Sequence, residues 1–195
     1  FILVSVFFGG TFVAAKAGQA YVPPLLLVAL RFDIAAVLLL GYVVLTTPRK
    51  EWLPRTRGDL AGILAAGVFA IGLANGLLFV GQGSVTSGVG AILFALVPIF
   101  APLFASGLLS DEHLSTSGVV GTLVGLVGVG LVIDMRPATV LETFDGGAAI
   151  VLAGAVSLAL GTVLIRRVDT TLSSTVRTAW ALPVSAVLLH VLSIG

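Results

Sequence analysis

Lys16, Arg31 and Asp33 are the ionisable side chains of an otherwise uncharged stretch from Phe8 to Leu40. The stretch reads as two apolar helices joined at Tyr21-Val22-Pro23-Pro24. A charge at membrane depth costs on the order of 3 kcal/mol or more unless it is paired or wetted. A hairpin that keeps two cations and one acid at that cost has a use for them. Arg31 lies eight residues past Pro23, roughly 12 Å down a helix, which makes snorkelling to the interface difficult. Lys16 is closer to an end and reaches an interface more easily. Residues two apart on a helix point to nearly opposite sides, so Arg31 and Asp33 do not satisfy each other. The expectation is a Lys16–Asp33 contact with Arg31 turned towards a cavity. The surplus positive charge favours a ligand carrying a carboxylate or another anionic group. Asn75, at similar depth on a later helix, can both donate and accept. Trp180 either lines the same cavity or belongs to an interfacial belt. His190 is expected at an outer interface.

Other chemistries are poorly served. The chain has no Cys, which excludes disulfides and thiolate chemistry. His113 and His190 lack metal-ligand spacing, and no cofactor is called for. A Gly-x-Ser-x-Gly elbow is absent, and Asp33 has no second intramembrane acid to make an aspartyl pair. An enzyme is therefore not expected. With a formal net charge of +1 and no dense basic patch, nucleic acid is not an expected partner.

The elements that position these residues follow from hydropathy. Of 195 residues, 58% are hydrophobic and 10% charged, against roughly 25% charged in a soluble domain. Long apolar runs without strict alternation give an all-α, polytopic helical membrane protein rather than an outer-membrane barrel. Seven spans are expected: 1–20, 24–45, 60–80, 85–109, 117–133, 147–165 and 174–194. Pro98 and Pro102 favour a kink in the fourth, and Pro183 one in the seventh. Gly118, Gly121, Gly125 and Gly128 put small residues on one face of the fifth, where the fourth could approach.

The connections set an orientation. Arg49, Lys50, Arg55 and Arg57 follow the second span, and Arg166 and Arg167 follow the sixth. Basic loops stay in the cytoplasm, so the amino terminus is expected inside a cell (plasma or inner) membrane. The loop with Glu112 then also falls inside, where Glu112 helps the chain turn.

Gly10-Thr11-Phe12-Val13-Ala14-Ala15-Lys16 is echoed by Gly161-Thr162-Val163-Leu164-Ile165-Arg166-Arg167. The echo returns after five spans, an odd number, so the second copy crosses in the opposite sense. Inverted repeats of this kind place a site near the midplane and support alternating access.

These pieces carry a resemblance. Gly10 to Lys16, Tyr21-Val22-Pro23-Pro24, Ala29-Leu30-Arg31-Phe32, Asn75-Gly76-Leu77-Leu78-Phe79 and Ala91 to Pro98 occur in one order. With Glu112 and the glycine-rich fifth span, they resemble the EamA-type repeat of the drug/metabolite transporter superfamily. The resemblance implies a five-helix repeat over 1–134. It also implies the first two helices of a second, inverted repeat over 146–195, the chain being a fragment of a ten-span carrier. It further implies secondary transport of a small metabolite, an amino acid or related compound, with a coupling proton or ion and a homo-oligomer left open. The chain departs from the family at Phe8, where Trp is usual, and at Asp33, where an apolar residue is usual. The competing reading is a non-transporting membrane subunit or scaffold.

Overall fold

The computed structural model describes residues 10, 17–109, 116–132 and 146–194. Within them the regular structure is helical. Five helices are long and apolar enough to cross a membrane. They are α1 (Pro24–Thr46), α3 (Arg57–Gly81), a broken helix over Ser87–Leu108, α7 (Gly146–Arg167) and α8 (Ser174–Ile194). A short α2 (Arg49–Trp52) lies between α1 and α3. The broken helix consists of α4 (Ser87–Phe94) and α5 (Val97–Leu108). Where the fifth span is expected stands α6 (Thr116–Val132), of 17 residues. Apart from Gly10 and the end from residue 17, the expected first span, Lys16 included, lies outside the described residues.

Local sequence explains the helix ends. Pro24 opens α1, since a first-turn N–H needs no intrahelical partner. Thr56 caps α3 through a capping box: its Oγ1 accepts from Asp59 N, while Asp59 accepts from the Thr56 backbone. Thr86 caps α4 by accepting from Val89 N. The break between α4 and α5 comes at Ala95-Leu96, just before Pro98, whose ring favours a new first turn. Pro102 and Pro183 remain inside their helices.

The middle of α3 departs from α-helical geometry. Ala65–Leu73 form a π-helix, a form that appears mostly as single-turn bulges. Its looser winding moves carbonyls off the ordinary ladder, and neighbouring hydroxyls meet two of them. Ser185 Oγ donates to Gly67 O at 2.7 Å, and Ser157 Oγ donates to Phe69 O at 2.9 Å. Small residues let α7 and α8 come this close. A Cβ at Gly161 would stand 2.5 Å from Ala70 N, and one at Gly67 would stand 2.8 Å from Ala181 O. Helix α3 is thus held between α7 and α8.

Helices α1 and α8 run antiparallel. Val43, near the end of α1, packs with Val176 and Ala179, near the start of α8. Towards the other end, Phe32 and Ala36 share a core with Leu182, Ala186 and Leu189. Ile34, Val37 and Leu38 are exposed on the opposite side of α1, the surface a membrane helix presents to lipid. Helix α6 touches both α4 and α5, as expected, although at Gly121 nothing among the described residues lies within 4 Å of where a Cβ would stand.

Candidate functional site

Polar side chains gather along α1, α3 and α8. Asp33 Oδ2 lies 2.8 Å from His190 Nε2, joining α1 to α8. The sequence expectation for His190, an outer interface, named no partner for it. It also gives Asp33 a partner other than Lys16, which lies outside the described residues. Arg31, on the other flank of α1, turns towards α3 instead. Its guanidinium lies 5.3 Å from the centre of the Phe32 ring and 5.8 Å from that of Phe79. The divergence of Arg31 and Asp33 follows from their two-residue spacing. Among the described residues, no carboxylate lies within ion-pair distance of Arg31.

Asn75 stands one turn before Phe79 on α3, half-buried, with Nδ2 donating to Ile71 O at 2.8 Å. That bond uses one amide hydrogen and leaves the carbonyl oxygen able to accept. Gln19 Nε2 donates to Phe79 O at 3.0 Å, fastening the turn before α1 to α3. The structure therefore groups Arg31 and Asn75 about Phe79, with Asp33 on the adjoining flank.

Trp180 is not part of this group. Ten residues separate it from His190, roughly 15 Å along α8. Its Nε1 donates to Trp52 O at 2.7 Å, and the two indoles stack with centroids 6.4 Å apart. It borders an apolar groove of about 560 Å³ between α3 and α8, together with Pro54, Leu60, Leu64, Pro183 and Val187. Trp180 thus stands apart from Arg31 and Asn75, bordering a different hollow from the one expected for it.

Asp59 went unmarked as a site by sequence reasoning. It is fully buried at the loop end of α3. Oδ2 accepts from Arg55 N and Thr56 N, each at 3.0 Å. Oδ1 accepts from Thr170 Oγ1 at 2.9 Å and Thr171 N at 2.8 Å, and Thr171 Oγ1 donates to both oxygens. A carboxylate removed from water needs this many donors. Asp59 thereby ties the loop before α3 to the loop between α7 and α8. Gly58 permits the contact, since a Cβ there would stand 1.9 Å from Asp169 O. The Thr56-x-x-Asp59 capping pattern is visible in the sequence, whereas the threonines supplied from 170 and 171 are not.

Residues 1–134 match the EamA-like transporter family, and the chain belongs to it. It is a multi-pass helical membrane protein. Among its relatives, YyaM of Bacillus subtilis, described as an uncharacterized transporter, is 31% identical over 194 residues, 97% of this chain and 62% of that protein. An uncharacterized transporter of Archaeoglobus fulgidus is 28% identical over 160 residues, 82% of this chain and 54% of the relative. YedA of Escherichia coli, described as an uncharacterized inner membrane transporter, is 30% identical over 164 residues, 84% of this chain and 51% of the relative. The chain thus spans between half and two thirds of the length of these relatives. No solved structure matches it.

Proposed function

We propose that this chain forms part of a secondary transporter that moves a small anionic or zwitterionic metabolite, such as an amino acid, by alternating access. The observation that carries the reading is the environment of Arg31. The guanidinium sits at membrane depth against two phenyl rings, and Asp33, its nearest acid in sequence, turns to His190 instead. An intramembrane cation with no counter-ion among the described residues is matched by a substrate carboxylate. Asn75, one turn from Phe79, supplies a carbonyl to accept from an ammonium or hydroxyl group. Lys16 and Arg31 line the passage in this reading, with Asp33 beside them and Trp180 outside it.

Residues 1–134 act as one five-helix repeat and 146–195 open its inverted partner, the two rocking about the site. The basic loops lie in the cytoplasm with the amino terminus. A proton or another ion drives the cycle.

The test is a flux screen. Vesicles holding the full-length protein are loaded with, or bathed in, pooled labelled amino acids and organic acids, with Arg31→Ala in parallel. Flux of at least one compound in the wild type, lost in Arg31→Ala, supports the reading. Absence of any flux supports the alternative, a non-transporting membrane subunit or scaffold.

A further inference from the structure

The loop end of the bundle carries a second surface that substrate movement does not explain. By tying the loop before α3 to the loop between α7 and α8, Asp59 merges two basic segments into one. Arg49, Lys50, Arg55, Arg57 and Arg167 are all exposed there. The exposed acids of the same two connections are Glu51 and Asp169, because Asp59 is buried and its oxygens are occupied. Directly beside this surplus of positive charge opens the apolar groove between α3 and α8. Pro54, one residue before Arg55, stands at the groove's basic end, and the groove continues along α8 from Trp180 to Val187. Trp180, stacked on Trp52, borders the groove near this end, and paired tryptophans suit the level where acyl chain meets headgroup.

We infer that this is a binding site for one anionic glycerophospholipid, its phosphate on the Arg55–Arg57 rim and an acyl chain in the groove. Charge complementarity selects the headgroup. Clustered Lys and Arg beside a membrane helix attract anionic lipid, each cation near the surface raising affinity roughly fivefold. The groove selects a lipid over a soluble anion, since its walls give an acyl chain apolar contact along about 10 Å of α8. A lipid so seated bridges α3 and α8 at the end where Asp59 already joins their loops.

Native mass spectrometry of the purified chain released from detergent tests the assignment. The probes are phosphatidylglycerol and phosphatidylcholine with identical acyl chains, with inorganic phosphate as competitor. Phosphatidylglycerol adducts are expected to dominate at equal lipid concentration and to withstand the phosphate. Arg55→Gln with Arg57→Gln should weaken phosphatidylglycerol by roughly 25-fold and phosphatidylcholine, whose choline already offsets its phosphate, by much less. Val187→Trp, which fills the groove from an exposed position, should weaken both lipids. Equal binding of the two lipids by the wild type overturns the proposal. So does displacement by inorganic phosphate, survival of the adducts in both variants, or a second copy of the chain in place of lipid. Circular dichroism of each variant confirms that it folds, and the double Arg variant alters only exposed side chains.

Discussion

His190 Nε2 stands 2.8 Å from Asp33 Oδ2, and this contact registers α8 against α1. Both side chains are half-exposed, so the pair is neither sealed in the core nor free at the surface. Partial exposure limits its worth to about 1 kcal/mol. A double-mutant cycle of Asp33→Asn and His190→Ala, followed by detergent-titrated unfolding, should give a coupling energy near that size. Strict additivity would mean the contact contributes nothing.

Asp59→Ala should be the most damaging single change at the loop end. It leaves the Arg55, Thr56 and Thr171 N–H groups without their buried acceptor. The expected loss is about 3 kcal/mol, with Thr171→Val costing about 1 kcal/mol because Thr170 and the backbone donors remain. Unfolding curves of the two variants check the order as well as the size. A neutral Asp59→Ala would remove the clamp from the account.

The π segment makes a separate prediction. Ser185→Ala takes away the hydroxyl that meets the Gly67 carbonyl and should cost about 1 kcal/mol. Gly161→Leu should do more harm, by about 3 kcal/mol, since even a Cβ would stand 2.5 Å from Ala70 N. Thermal unfolding in detergent reads both. If Gly161→Leu is as stable as the wild type, α3 and α7 do not pack as described.

Much of this was legible in the sequence, for reasons that differ by feature. The bounds of α1 and α8 follow from Pro24, from Ser174 and from long, mostly apolar runs, and the expected spans fall within a residue of them. The opposed directions of Arg31 and Asp33 follow from helical geometry alone. The π-helix did not show, because Ala65–Leu73 is as apolar as any α-helical span and the hydroxyls that meet its carbonyls, Ser157 and Ser185, come from other helices. His190 escaped for the same reason: its partner is 157 residues away, and pairing across helices leaves no local pattern. Trp180's partner, Trp52, is likewise 128 residues away and leaves no local pattern.

The central claim is that Arg31 and Asn75 border water while the neighbouring face of α1 borders lipid. Because the chain has no Cys, single cysteines can report this without background. Arg31→Cys, Asn75→Cys and Val37→Cys, reconstituted in liposomes, are to be treated with a charged methanethiosulfonate reagent. The account predicts that the thiols at 31 and 75 react and that the thiol at lipid-facing Val37 does not. Equal resistance at all three positions would contradict it.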